Sequence, residues 1–541
     1  MQFIVTIHPE KQKFPAEKNQ SILDAVHQNI ILTNYTLNSP CGGQGRCGNC
    51  RVRVMDGALS PVTDLEMRLL TGKEIDAGHR LACQAKILSH LDLEVHLQAA
   101  FEPFMGEKAQ MPCEVKPLSG SAGVAIDLGT TKIGGYLVDL TTGKRLAAMG
   151  MLNPQVSFGA DIISRLAFAG KGPAFHKQIT SVLQNGVNRL VEELARSAAL
   201  RPGDITEIVI AGNTAMHHLL LRLPIDRLSR APYTPATTLS MKIKGRQLGL
   251  NMAPEGVVYF MPLVAAFVGS DHVAMMIGSR ITESDAVTLG LDIGTNTEIV
   301  LSRDGHLMSC SCASGPAFEG AQIHQGMLAV DGAICRVKLY ENGTRVTFET
   351  ISGSSPRGIC GSGIVDAVAE FYRHGIMSDH GILNRTHPGV RFNRERGMHE
   401  FLLVPQTVSA TGSDLVITQK DISEIQLAKA AVAAGISCLL SAAGIGREDI
   451  EKVILTGAFG LHLNTASAIQ IGMLPDLPME RFDQVANAAG AGASLVLFSA
   501  ADRRRAEQLA AGIRYLELSE VPGFGSRFAR ALRFGTAGTC Y

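Results

Sequence analysis

"GVAIDLGTTKIGGYLVDLTTG", residues 123–143, is an apolar run ending on Asp127, then a Gly-Thr turn, a second apolar run and a closing turn. That pattern predicts a β-hairpin. Gly129 permits the sharp reversal. The Thr130 and Thr131 side chains, together with exposed backbone N–H groups, suit phosphate oxygens. Asp127 at the strand end suits Mg²⁺, bound directly or through water. One Asp-x-Gly-Thr is a weak signal, because hairpins use these residues anyway. The chain carries a second copy in "GLDIGTNTEIVLSRDG", residues 290–305.

A second pair of segments repeats in step with the first. "DITEIVIAGNTAMHHLLLRLP" (204–224) parallels "DIEKVILTGAFGLHLNTASAI" (449–469), each read as a helix, a short apolar strand and a Gly-containing loop that opens a helix. The order A–B–A′–B′ at so long a period predicts a duplicated domain, with halves 121–285 and 286–541. Gly-x4-Gly-Lys-Ser/Thr is absent, which excludes a P-loop fold. Two facing hairpins would clamp the phosphates of one nucleotide, with "TGAFG" (456–460) against adenosine.

This arrangement resembles the superfamily of acetate and sugar kinases, Hsp70 and actin. The resemblance implies two ribonuclease-H-like α/β domains with ATP between them. It assigns Asp127, Gly129, Thr130 and Thr131 to the first phosphate hairpin. Asp292, Gly294, Thr295, Asn296 and Thr297 fall in the second, and Gly457, Ala458, Phe459 and Gly460 in the adenosine loop.

Four other segments carry weaker readings. In "CASGPAFEGAQIHQG" (312–326), Glu319 is either a group that orients the attacking water or an exposed cap. Gly361-Ser362-Gly363 opens a helix and reads equally as an anion site or a tight turn. His217 and His218 diverge on a helix and read as packing rather than metal ligands. "ADRRRAEQ" (501–508) reads as a solvated helix face, and 422–444 as a buried helix.

The N-terminal region has different chemistry. "CGGQGRCGNC" (41–50) contains Gly-x-Gly-x-x-Gly, but no strand precedes it and cysteines occupy the loop, so it is not a dinucleotide fingerprint. With Cys83 the spacing is Cys41-x5-Cys47-x2-Cys50-x32-Cys83. Three clustered cysteines and one distant one match a plant-type [2Fe–2S] site. A structural zinc site, the alternative, normally uses two Cys-x2-Cys knuckles, and one is present.

The flanking strands and helix resemble a β-grasp ferredoxin over residues 1–98, followed by a linker at 99–120. The x5 gap is closer to the vertebrate-type relatives. The other cysteines (113, 310, 312, 335, 360, 438 and 540) read as core or incidental.

Fifty basic and fifty acidic residues cancel in a chain of 541, which argues against nucleic acid and membrane-surface partners. The start lacks a basic n-region and a long apolar core, so a cytoplasmic location is expected.

A one-electron carrier fused to an ATP clamp makes sense if ATP drives an electron uphill. The combination, with "CASGPAFEGAQI" and "EIQLAKAAVAAGI", resembles the reductive activators of corrinoid proteins over nearly the whole chain. That resemblance implies ATP-dependent return of one electron to Co(II) of a corrinoid methyl-transfer protein. It also implies an upstream electron donor and a homodimer. Three rivals stay open: a radical-dehydratase activator, a small-molecule kinase with a regulatory cluster, and a non-enzymatic ATP-binding redox sensor.

Overall fold

The computed structural model describes residues 2–8, 11–29, 35–37, 43, 45, 48, 50–95, 98–99, 101–103, 122–159, 161–320 and 322–535. Cys41, Cys47, Cys113, Cys540 and the linker stretch 104–120 lie outside the described residues. The chain divides into two compact units, Met1–Ala274 with Gly490–Glu507, and Met275–Ala489 with Gln508–Tyr541.

In the first unit, β1 (Gln2–His8) and β2 (Gln12–Glu17) form a hairpin, and α1 (Ile22–Gln28) starts on the Ser21 cap. Next come β3 (Tyr35–Thr36), β4 (Arg51–Asp56), α2 (Asp64–Leu69), α3 (Gly72–Asp76), β5 (His79–Leu81) and β6 (Leu91–Glu94). Thr63 and Thr71 begin α2 and α3 with full capping boxes, each closed by a glutamate at the third helical position. The sheet order is β2-β1-β6-β4-β5, with β1 and β6 parallel. Alternating apolar residues put Val5, Ile7, Phe14, Leu81 and Leu93 in one core with Ile22 and Val26 of α1.

β7 (Gln98–Ala99) pairs with β3, and β8 (Phe101–Pro103) adds to the edge of the next sheet through Met149–Met151. These strand residues fall at the start of the stretch read as linker.

The next sheet is built from β9 (Ala122–Leu128), β10 (Lys132–Asp139) and β11 (Arg145–Leu152), an antiparallel meander. α4 (Ile162–Ala169) and the long α5 (Pro173–Ser197) follow, then β12 (Ile205–Gly212), α6 (Thr214–Leu221), β13 (Met241–Lys244), β14 (Val257–Phe260) and α7 (Ser270–Gly278). β12 and β14 run parallel to β9, giving the order β13-β14-β12-β9-β10-β11-β8. A Cβ at Gly135 of β10 would stand 2.8 Å from Leu194 and 2.9 Å from Leu190, so α5 packs directly on the strand.

The second unit repeats the plan. β15 (Thr288–Ile293), β16 (Thr297–Arg303) and β17 (His306–Cys312) form the meander. β18 (Ala333–Tyr340), β19 (Arg345–Thr350), β20 (Gly358–Ile359), α8 (Gly361–Arg373), β21 (Val390–Asn393), β22 (Met398–Val404) and β23 (Leu415–Thr418) are interposed as two small sheets and a helix.

α9 (Gln419–Ala443) is the one described helix long and apolar enough to cross a membrane; 72% of its most apolar stretch is buried in the fold. β24 (Lys452–Thr456), α10 (Gly457–Gly460), α11 (Thr465–Gln470) and β25 (Phe482–Gln484) complete the repeat. β24 lies parallel to β15 just as β12 lies parallel to β9, so both predicted hairpins leave the central strand of their own sheet.

α12 (Ala488–Phe498) and α13 (Ala500–Gly512) follow, then β26 (Arg514–Tyr515) beside β17 and α14 (Phe524–Ala531). Residues 490–507 pack with the first unit: a Cβ on Gly492 would meet the carbonyl of Ala274 at 1.8 Å. The solvated reading of 501–508 fails at Arg503. Its guanidinium pairs with Glu207 at 2.9 Å, lies 4.4 Å over the Tyr259 ring and donates to the Val496 carbonyl. Charge alone suggested solvent; a carboxylate, a ring and a helix end supplied by the fold satisfy it instead.

Candidate functional site: a sulfur-ligand turn and two phosphate hairpins

Cys50 is buried at the start of β4, and Cys83 is half-buried in the turn after β5. Gly43, Gly45 and Gly48 all have φ between 68° and 83°, the left-handed region that lets the loop curl. A Cβ on Gly43 would lie 3.9 Å from Cys83 Cβ, and one on Gly45 would lie 2.9 Å from Gln84 Nε2. The glycine loop and the Cys83 turn therefore meet closely, as a four-thiolate cage drawn from both requires. The described part of the site fits a [2Fe–2S] group; Cys41 and Cys47, the other two expected ligands, lie outside the described residues.

Glu66 holds the scaffold together. Its carboxylate accepts from Arg80 Nε at 2.9 Å and Nη2 at 3.0 Å, and from the backbone N–H of Leu81 and Thr63 at 3.0 Å each. Burial pushes Glu66 upward, but Arg80 and these backbone donors outweigh it and leave it below the ordinary carboxylate range. The pair ties α2, whose Leu65 and Leu69 cover Gly45 and Gly48, to the strand that leads into Cys83.

Gln84 Nε2 donates to Cys83 Sγ at 3.4 Å. A hydrogen bond to a ligand sulfur favours the reduced cluster. Gln84→Leu is expected to shift the reduced-to-oxidised ratio at fixed poise by about tenfold toward oxidised, ~59 mV for one electron. An EPR-monitored redox titration checks this, and an unchanged midpoint removes Gln84 from the account.

The two hairpins are built alike. Asp127 faces Gly134 and Ala211 across β9's neighbours, and Asp292 faces Glu298 and Thr456 across β15's. Each is the penultimate residue of its strand and partly exposed, as are Gly129, Thr130, Thr131, Gly294, Thr295 and Asn296. In both copies a residue just past the third strand ties down hairpin carbonyls. Asn153 Nδ2 donates to Gly129 O at 2.8 Å, and its N–H to Thr131 O at 2.8 Å. In the second half, Ser314 Oγ stands 3.3 Å from Gly294 O and 3.4 Å from Thr295 O. The sequence reading missed both residues. The signal available was their matching place after the third strand of each repeat.

Thr297 is fully buried and shares a 2.9 Å hydrogen bond with Ser314, so its hydroxyl works inside the hairpin. Glu319 is no exposed cap. It is half-buried and accepts from Thr295 Oγ1 at 2.8 Å. A Cβ on Gly457 would lie 2.4 Å from Asp292 Oδ1 and 2.7 Å from Ile293 O, so the adenosine-type loop is pressed onto the second hairpin. Phe459 stacks on Phe318 with centroids 4.8 Å apart and planes 10° apart. Backbone hydrogen-bonding groups and partly exposed carboxylates meeting at a Cβ-free contact fit a magnesium nucleotide.

The Gly361-Ser362-Gly363 helix start resolves as close packing. Added Cβ atoms would meet Phe318 O at 1.7 Å and Ile334 O at 2.2 Å. His217 and His218 are buried in the core. His218 is held between Thr214 O and Ala236 N, and burial drives His217 down to about 3.

A ferredoxin-type sulfur site and a duplicated phosphate-hairpin fold on one chain define an iron–sulfur protein with an ATPase-type domain. Residues 5–88 match the 2Fe-2S iron-sulfur cluster binding domain, 122–284 the RACo middle region, and 286–540 the C-terminal domain of RACo, the ASKHA domain. The chain is 35% identical over 423 residues to the corrinoid activation enzyme RamQ of Eubacterium limosum, covering 76% of this chain and 70% of that one. It is 25% identical over 385 residues to the [Co(II) methylated amine-specific corrinoid protein] reductase of Methanosarcina barkeri, covering 65% and 66%. A solved structure, a reductive activator for corrinoid, iron-sulfur protein, aligns over 98% of both chains with TM-score 0.72 and 30% identity. The chain belongs to the family of reductive activators of corrinoid proteins.

Proposed function

We propose that this protein returns one electron to Co(II) of a corrinoid methyl-transfer protein, restoring Co(I), and couples that transfer to ATP hydrolysis. The observation that carries this reading is the presence of both parts, the Cys50/Cys83 sulfur site and the two hairpins, on one chain of the reductive-activator family. A bound [2Fe–2S] cluster supplies single-electron storage. Cys41, Cys47, Cys50 and Cys83 would hold it, and an upstream donor would supply its electron.

The chain's other residues handle the nucleotide. Gly129, Thr130, Thr131, Gly294, Thr295 and Asn296 would hold phosphate oxygens, Asp127 and Asp292 would hold Mg²⁺, and Gly457–Gly460 would take the adenosine. Glu319 sets the Thr295 hydroxyl through their hydrogen bond. Positioning and charge stabilisation do the catalytic work, as in phosphoryl transfer generally. Each 59 mV uphill costs one electron tenfold in equilibrium constant, and ATP binding contributes by favouring one state of the protein pair over another. The protein acts in the cytoplasm as a homodimer, with no nucleic acid or membrane partner.

The test follows the visible spectrum of a Co(II) corrinoid protein mixed with the reconstituted protein and a reductant. Co(I) is expected to form with ATP and not without it. Cys83→Ser is expected to abolish cobalt reduction while leaving ATP affinity intact. Cobalt reduction at the wild-type rate by that variant ends the proposal.

A further inference from the structure

A cavity of about 490 Å³ opens in the first unit, outside the sulfur and nucleotide sites. Three elements wall it: the face of α5 that carries Lys177 and Gln184, the C-terminal end of α6, and the 3-10 turn Gly245–Leu248 after β13. α6 begins at Thr214, just past the Gly212–Leu128 pair, and its 8 residues span ~12 Å. The cavity sits at its other end.

The walls are fixed to one another. Thr180 Oγ1 of α5 donates to Leu219 O of α6 at 2.6 Å. Asn188, further along α5, donates to Gly249 O at 2.8 Å and accepts from Asn251 N at 2.7 Å, which holds the 3-10 turn in place. Leu220 and Leu248 are buried and give the cavity an apolar lining. Its shape therefore stands before any ligand arrives, as small-molecule sites generally require.

The polar lining is unused by the fold. The Lys177 ammonium, the Arg222 guanidinium and the Gln184 and Gln247 amides make no hydrogen bond or ion pair with the described residues. Arg222 also closes α6 in the left-handed region, at φ 52° and ψ 38°, where glycine is favoured. Arginine there strains the backbone with no polar contact inside the fold to offset it. Its charge is felt on α5: burial first, and Arg222 after it, hold the His176 imidazole below its ordinary range, against an opposite pull from Asp226. A guanidinium fork and an ammonium suit an oxyanion, the carboxamides can donate to its remaining oxygens, and the leucines suit an apolar body.

We propose that this cavity binds a small organic anion, a phosphate or carboxylate group carried on an apolar body, with Arg222 and Lys177 on the anion.

The test titrates the full-length protein by calorimetry with phenyl phosphate and, separately, with benzoate. Saturable one-to-one binding of at least one probe is expected, and the probe that binds tells phosphate from carboxylate. Arg222→Gly and Lys177→Gln are each expected to weaken it about tenfold or more, the usual loss for a hydrogen bond to a charged group. ATP affinity should stay at the wild-type value in both, which separates this cavity from the phosphate hairpins. The thermal midpoint of Arg222→Gly should be no lower than wild type, because glycine suits the left-handed position. Failure of both probes to bind overturns the proposal, as does unchanged binding in Arg222→Gly. A lowered midpoint in that variant also overturns it, since the arginine would then serve the fold.

Discussion

Glu66→Gln is expected to destabilise the N-terminal domain by about 3–5 kcal/mol, the cost of leaving one partner of a buried ion pair alone. In the native fold the Glu66 side chain is fully buried and that of Arg80 is 10% exposed. Glutamine removes the charge and one acceptor, and the guanidinium stays where water cannot reach it. Because the pair joins α2 to the strand that leads into Cys83, the two sides of the sulfur site loosen together. The readout is the thermal midpoint of cluster bleaching under anaerobic conditions, with a nucleotide-binding control that should not move.

The pH dependence follows from the sign of the shift. Glu66 titrates below its ordinary range in the folded state. Its stabilisation is therefore present above the unfolded value and is lost as pH falls through the folded one. The variant should lose the part of the acid sensitivity that Glu66 contributes. A bleaching midpoint equal to wild type at neutral pH contradicts the account.

Gly457→Ala is expected to disable the second half's nucleotide site. Its φ of +90° costs an alanine about 1–2 kcal/mol. Its Cβ would press on Asp292 Oδ1 at 2.4 Å and Ile293 O at 2.7 Å. Overpacking of this kind adds roughly 1–3 kcal/mol, and the relief available is to push the loop off the hairpin. The expected result is a loss of ATP affinity of at least about tenfold, 1.4 kcal/mol, with the cluster spectrum unchanged. Calorimetric titration with ATP measures it, and wild-type affinity in this variant would separate the loop from the nucleotide.

The legible part of this protein lay in short-range pattern. Both Asp-x-Gly-Thr turns formed where the flanking apolar runs and turn residues predicted them. Local sterics dictate such elements, and glycine is needed wherever φ is positive. The duplication was legible too, because two copies of one topology must repeat the same apolar runs.

Arg503 was misread because a charge in a helical run says nothing of Glu207, nearly three hundred residues away. The Gly361–Gly363 start stayed open for the same reason. Glycine at a helix N-terminus suits an anion or a close neighbour equally, and Phe318 and Ile334 supplied the neighbour.

By itself, then, the sequence determined the spacing of the cysteines, the two Asp-x-Gly-Thr turns and the order of the repeated halves. These follow from chain-local geometry and residue chemistry. Tertiary structure alone decided that Asn153 and Ser314 secure those turns from behind, that Glu66 clamps the sulfur site, and that Ser270 fastens the start of α7 to the end of β12. Each of those placements depends on packing between segments far apart in the chain, which no local pattern encodes.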